Sequence, residues 1–123
     1  MLIGVPKEIK NHEYRVGLTP ESVAELVHSG QSVLIETQAG SGIGASDKAY
    51  KDAGAEIVAK AAEIFERADM IIKVKEPQAV ERAMLREGQI LYTYLHLAPD
   101  PEQTKDLIKS KACLLYTSDA ADE

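Results

Sequence analysis

Thr19-Pro20-Glu21-Ser22-Val23-Ala24-Glu25-Leu26-Val27-His28-Ser29-Gly30, followed by Gln31 and the apolar run Ser32-Val33-Leu34-Ile35, is the stretch that decides the fold. Thr19 is of the type that caps a helix, and Pro20 suits the first helical position, where its missing N–H is not needed. Val23, Leu26 and Val27 recur at helical spacing, and Gly30 can close the last turn. The pattern predicts a helix over 20–29 that feeds directly into a strand over 32–35. A second short apolar run, Leu2–Val5, precedes it, so the chain opens β-α-β.

Working outward, Glu56–Val58, Met70–Val74 and Ile90–Leu95 read as further strands with helices between most of them. Ser46 and Gly54 bracket a short helix around Tyr50, Lys60–Arg67 forms a third, and Gln78–Arg86 a fourth that Gly88 ends. Asp100-Pro101-Glu102-Gln103 combines an N-cap, an N1 proline and a capping-box Gln, which sets a fifth helix at about 101–110. Alternating strands and helices of this kind give an α/β fold with three layers around a mostly parallel sheet, flavodoxin-like or Rossmann-like. No repeat, low-complexity tract or Gly/Ser linker divides it.

The 123 residues are 45% hydrophobic and 28% charged, which suits one soluble domain. Fourteen basic against twenty acidic side chains give a net charge of −6, so no phosphate-neutralising surface is expected and nucleic acid is excluded as a partner. The longest apolar runs fall far short of the roughly 20 residues needed to cross a bilayer. The start Met1-Leu2-Ile3-Gly4-Val5-Pro6-Lys7-Glu8 lacks the layout of a secretory signal, and a cytoplasmic protein is expected. The single cysteine, Cys113, has no disulfide mate and no Cys or His at metal-ligand spacing; no metal is expected.

In a parallel sheet the segments that follow the strands gather on one edge, where open α/β sheets bind ligands. Arg15 falls in the polar segment 7–18 after the first strand, Lys75 follows Val74, and His96 follows Leu95. Two cations and an imidazole there suit a small keto or amino acid. Arg grips a carboxylate with two parallel hydrogen bonds, Lys adds a compact charge, and His moves a proton near neutral pH. A structural alternative stands beside this. Glu8, Glu13 and Glu76 are close enough in sequence to pair with the cations, and His96 between two leucines also fits a core histidine. Tyr92 and Tyr94 share one face of their strand and are expected to pack there, with Tyr94 a second candidate to line the site.

Gly40-Ser41-Gly42-Ile43-Gly44-Ala45 matches G-x-G-x-x-G/A only with Ala45 in the last place. A dinucleotide loop opens directly from strand into helix, with an acidic residue ending the next strand. Here Ser46 reads as the helix start and the strand over 56–58 ends without an acid, so these glycines are read as turn formers. No G-x-S-x-G elbow supports serine catalysis.

Gly4-Val5-Pro6-Lys7-Glu8, Asn11-His12-Glu13-Tyr14-Arg15-Val16, Leu18-Thr19-Pro20, Lys73-Val74-Lys75-Glu76-Pro77 and Leu95-His96-Leu97-Ala98 occur in this order. Through them residues 1–112 resemble the N-terminal domain shared by alanine dehydrogenases and the alpha subunit of nicotinamide nucleotide transhydrogenase. Transhydrogenases generally lack the Lys-Glu-Pro and Leu-His-Leu-Ala segments, so the resemblance favours the dehydrogenase branch, and the same segment disfavours a saccharopine-type enzyme. The resemblance implies that Arg15 and Lys75 hold the carboxylate and carbonyl end of pyruvate or alanine and that His96 is the acid/base. The implied reaction passes hydride from alanine to NAD, hydrates the iminium to a carbinolamine, and releases ammonia and pyruvate. It further implies a homohexameric parent about three times as long, in which an NAD-binding Rossmann domain absent from this chain completes the enzyme, so that the chain alone is inactive. A standalone module binding pyruvate-like acids is the alternative from another class. Residues 113–123 depart from the family pattern and resemble a translated sequencing adapter. They are expected to be non-native, although Cys113–Thr117 also has the apolar, β-compatible character of a sixth strand.

Overall fold

The computed structural model describes residues 1–94 and 101–117. The element order is β1 (Leu2–Val5), α1 (Pro20–His28), β2 (Ser32–Glu36), α2 (Asp47–Asp52), β3 (Glu56–Val58), α3 (Ala61–Arg67), β4 (Met70–Ile72), α4 (Ala79–Arg82), β5 (Ile90–Tyr94), α5 (Pro101–Ser110) and β6 (Cys113–Thr117). The six strands form one sheet in the order β3-β2-β1-β4-β5-β6, every neighbouring pair parallel. The chain therefore winds outward from β1 in one direction and from β4 in the other. That places the topological switch point, where open α/β sheets bind ligands, between β1 and β4.

Strands buried on both faces carry apolar residues on consecutive positions rather than alternating ones, and β2 shows why. Val33 and Ile35 point to one side, where they pack with Val23 of α1 and Tyr50 of α2, while Leu34 points to the other and joins Ile64 and Phe65 of α3. Leu85, Leu91 and Leu107 extend the α3 side beneath α5. Side chains such as Tyr50, Ile64 and Phe65 are almost wholly inaccessible, and each such burial stabilises the fold by about 1.5–3 kcal/mol. On β1, Gly4 stands where a side chain would collide with α3: an added Cβ would lie 2.6 Å from Ile64 Cγ2 and 2.8 Å from Ala68 Cβ. The missing side chain lets α3 pack directly on the strand backbone.

The helix starts read from sequence are present. Thr19 caps α1 through its side chain, accepting from Ser22 N–H, and Ser46 caps α2 by accepting from Ala49 N–H. Three elements differ from expectation. The fourth strand stops at Ile72 rather than Val74, because the Val74 N–H leaves the ladder and donates to the Glu8 carboxylate at 3.0 Å. The fourth helix spans Ala79–Arg82 rather than 78–86, because beyond it the bonds tighten to three-residue turns, Met84 N–H to Glu81 C=O and Leu85 N–H to Arg82 C=O. Tyr92 is 46% exposed rather than packed; it pairs in register with Ile72, on the side where α1 and α2 cover only the other half of the sheet. The side chain of Tyr94 and all of Leu95 lie outside the described residues.

Candidate functional site

The segment that leaves β1 is held at three points. The backbone N–H of Lys7 donates to Glu36 Oε1 at 2.7 Å. The Glu8 carboxylate enters the interior, and near the far end of the segment the Leu18 carbonyl accepts from the Tyr50 hydroxyl at 2.7 Å. Between these points the loop lies against the glycine-rich turn after β2. An added Cβ on Gly42 would sit 2.2 Å from the Tyr14 carbonyl oxygen, so this glycine serves a close backbone approach. The turn itself is a short 3-10 segment, Ser41–Ile43, followed by the Ser46-capped α2. Because Tyr14 takes the space that Gly42 leaves, the turn is not shaped as a dinucleotide cradle. This turn does not fit a bound NAD.

Glu8 organises the interior of the switch point. Its Oε1 accepts from Lys73 Nζ at 2.9 Å and from the Lys75 N–H at 3.3 Å, and its Oε2 accepts from the Val74 N–H. Lys73 also pairs with Glu81 of α4 at 3.1 Å, and all three side chains are at most 2% exposed. Glu81 in turn accepts from the Gln78 N–H, closing a capping box on α4. A charge buried without partners costs several kcal/mol, so this triad is stable only as a set. Beside it, burial pushes the Glu36 carboxyl above the usual carboxylate range, and the nearby Glu81 charge adds to the rise.

Arg15 pairs with Glu13, and Lys75 lies close enough for its charge to act on the same carboxylate. Arg15 Nε donates to Glu13 Oε2 and Nη2 to Oε1, both at 3.0 Å, while the Arg15 backbone N–H also donates to Oε2 at 2.8 Å. The carboxylate is enclosed, at 5% exposed, and the guanidinium is open, at 63%. The Arg15 side-chain bond holds the Glu13 carboxyl below the usual range, and the charge of Lys75 acts in the same direction. Lys75 is partly buried, and among the described residues its ammonium forms no ion pair; Glu76 pairs with Lys10 instead. The Lys75 backbone is fixed on both sides, its N–H by Glu8 and its C=O by the Thr93 hydroxyl at 3.0 Å. His96 lies outside the described residues.

A cleft of about 290 Å³ opens here, lined by Lys7, Glu8, Glu13, Tyr14, Arg15 and Gly42 among others. That is near the lower end of small-molecule sites, roughly 300 Å³. A slightly larger one, about 330 Å³, lies at α4 and α5 around the Arg82–Asp106 ion pair and contains neither cation of interest. Of the pairings that sequence left open, Glu13 takes Arg15, Glu8 takes Lys73, and Glu76 takes Lys10. Sequence reading missed the buried triad and Thr93. Its available signal was Lys73 itself, a charge placed at the end of an apolar run that both faces bury.

Comparison with known proteins gives a consistent picture. A family model described as "Alanine dehydrogenase/PNT, N-terminal domain" matches residues 4–118. An alanine dehydrogenase of Methanococcus maripaludis is 57% identical over 111 residues, which cover 90% of this chain and 30% of that protein. A solved L-alanine dehydrogenase superposes with TM-score 0.91 at 48% identity, covering 94% of this chain and 32% of that one. A transhydrogenase from Sinorhizobium meliloti superposes with TM-score 0.87 at 28% identity, covering 94% and 34%. The chain thus spans about a third of the length of the proteins it matches.

Proposed function

Because the chain belongs to the family of the alanine dehydrogenase/PNT N-terminal domain, we propose that it is the substrate-side domain of an NAD-dependent alanine dehydrogenase. The parent reaction is L-alanine + NAD⁺ + H₂O to pyruvate + NH₄⁺ + NADH + H⁺. The transhydrogenase branch is the weaker reading, given 28% identity against 57% for the dehydrogenase relative. The observation that carries the proposal is the placement of Arg15 in a small cleft after β1, with Lys75, on the loop after the neighbouring β4, close enough for its charge to act on the Glu13 carboxylate of the same cleft.

In this reading Arg15 binds the substrate carboxylate through paired N–H donors, and Lys75 neutralises the carboxylate or polarises the carbonyl oxygen that forms. Their fixed placement supplies orientation, which contributes several kcal/mol in favourable cases. His96 is proposed as the proton carrier. NAD accepts the hydride and is bound by a part of the parent beyond these residues, so the chain alone is inactive; alanine-dependent NADH formation by it would refute this. A cytoplasmic, homohexameric parent is part of the same proposal. No helix among the described residues is long and apolar enough to cross a membrane.

The direct test is calorimetric titration with pyruvate. Arg15→Lys removes the two-pronged grip and keeps the charge, so affinity should fall on the order of tenfold, with the unfolding midpoint nearly unchanged because Arg15 is exposed. Equal affinity in both chains would remove Arg15 from the site.

Residues 113–123 are further proposed to be non-native, a translated adapter. Independent resequencing beyond the Ala112 codon decides this: a frame that continues into a nucleotide loop supports it, and a genomic stop codon after Glu123 refutes it.

A further inference from the structure

Strand β4 stops two residues before its apolar pattern does, and the cause lies on the loop of another strand. The Lys73 N–H still donates to the Tyr92 carbonyl of β5 at 3.0 Å. The bonds of a parallel ladder recur at every second residue, so the next would join the Lys75 N–H to the Tyr94 carbonyl. Instead the Lys75 N–H donates to Glu8 Oε1 at 3.3 Å and the Val74 N–H to Glu8 Oε2 at 3.0 Å. Glu8 stands on the loop after β1, and β1 and β5 lie on opposite sides of β4. The carboxylate therefore draws the chain away from β5 and toward the loop that carries Arg15. Strand β5 holds Lys75 through a side chain, the Thr93 hydroxyl, which donates to the Lys75 carbonyl at 3.0 Å. We propose that Glu8 is a positioning residue for the substrate site: it takes the place of β5 as acceptor at the end of β4 and so determines where Lys75 stands. This rests on the reading of Lys75 as a substrate-binding cation.

A carboxylate suits this role. Successive N–H groups of an extended strand point to opposite neighbours, so one group that accepts from both Val74 and Lys75 must turn the backbone out of the sheet. Glu8 is itself fixed: its side chain is 2% exposed, and Lys73 Nζ neutralises it at 2.9 Å while also pairing with Glu81 at 3.1 Å. The positioning role is separable from the packing role. Without the Glu8 charge, Lys73 and Glu81 remain a matched pair, so the interior keeps its balance. A Gln at position 8 fills the same space, but it offers one acceptor oxygen where two oxygens now serve two N–H groups.

The test uses the full 123-residue chain, isotope-labelled, with scalar couplings across hydrogen bonds read by NMR and pyruvate affinity read by calorimetry. In the wild-type chain the Val74 and Lys75 amides should couple to the Glu8 carboxylate carbon. In Glu8→Gln the Val74 coupling should vanish, the Lys75 amide should couple to the Tyr94 carbonyl, and affinity should fall on the order of tenfold. In a Lys75→Gln background the same change should cost less than about twofold, because Glu8 acts through Lys75. Glu81→Gln, which removes a charge from the same triad without touching Lys75, should bind as wild type, an outcome that a purely structural role for the triad would not give. Glu8→Asp, whose shorter reach cannot serve both N–H groups, takes the place of the Gln variant should that fail to fold. Wild-type affinity in the Glu8 variants, or an equal loss with and without Lys75, overturns this inference alone. Wild-type affinity in Lys75→Gln, or no saturable binding of pyruvate by any chain, overturns the reading of Lys75 and this role together.

Discussion

Arg15 lines the cleft and Lys75 follows the neighbouring strand β4, and the two are held in opposite ways. Arg15 is fixed through its guanidinium, gripped by Glu13, on a loop that rests against the Gly42 turn. Lys75 is fixed through its backbone, with the N–H held by Glu8 and the C=O by Thr93. The first arrangement sets the direction of a rigid, planar donor before a ligand arrives. The second sets only the base of a flexible four-carbon stem and lets its ammonium adjust. For a carboxylate recognised by a fork and a compact charge, this division matches what each side chain offers.

The backbone-held side depends on the buried triad, so the largest effect is expected there. Lys73→Met leaves Glu8 and Glu81 enclosed without their cation and should lower stability by about 3–5 kcal/mol. In a domain of ordinary stability, about 5–15 kcal/mol, chemical denaturation would show a large fall in midpoint or a loss of the folded baseline. A loss below about 1 kcal/mol would mean that Glu8 does not need Lys73 to hold the Lys75 backbone. The comparison between the two cations would then lose its physical basis.

Much of the architecture was legible because it rests on local rules. Thr19, Ser46 and the Pro20 and Pro101 positions announced their helices, and the double-sided apolar runs announced a parallel sheet. Departures arose where a distant side chain overrode the pattern. Nothing in Met70–Val74 reveals that Glu8, 66 residues away, captures the Val74 N–H and ends the strand. Tyr92 fits a packed strand by its neighbours, and only the placement of α1 and α2 shows its side uncovered. For the candidate site, spacing from strand ends sufficed to place Arg15 and Lys75 after the neighbouring strands β1 and β4. The division of carboxylates among Arg15, Lys73 and Lys10 did not follow from spacing, because it depends on which side chains the loops turn inward.

A smaller effect sharpens the comparison from the other end of Lys75. Thr93→Val keeps the branched shape and removes the hydroxyl that donates to the Lys75 carbonyl. The expected loss is about 1 kcal/mol, read by chemical denaturation, with a modest weakening of pyruvate binding. Loss of stability with unchanged binding would show that the Glu8 bond alone suffices to place Lys75.

The smallest effect concerns the start of the β1 loop, where Lys7 is held by its backbone to Glu36, much as Lys75 is held to Glu8. The two anchors differ in charge balance. Glu8 has Lys73 at 2.9 Å, whereas Glu36 is raised above its ordinary 4.5 by burial, which its Lys7 bond only partly offsets. A carboxyl whose value is raised on folding binds more protons in the folded chain, so its ionisation weakens the fold as pH rises from about 4.5 through the folded value. Glu36→Gln keeps an acceptor for the Lys7 N–H and removes that liability. Its stability relative to wild type should therefore be level below that window, grow across it, and plateau above it, at no more than about 1 kcal/mol. Denaturation midpoints taken from pH 4 to 8 give the difference curve. A gain that falls with rising pH would show that the Glu36 charge is stabilising, so that Lys7, like Lys75, rests on a carboxylate matched by a cation.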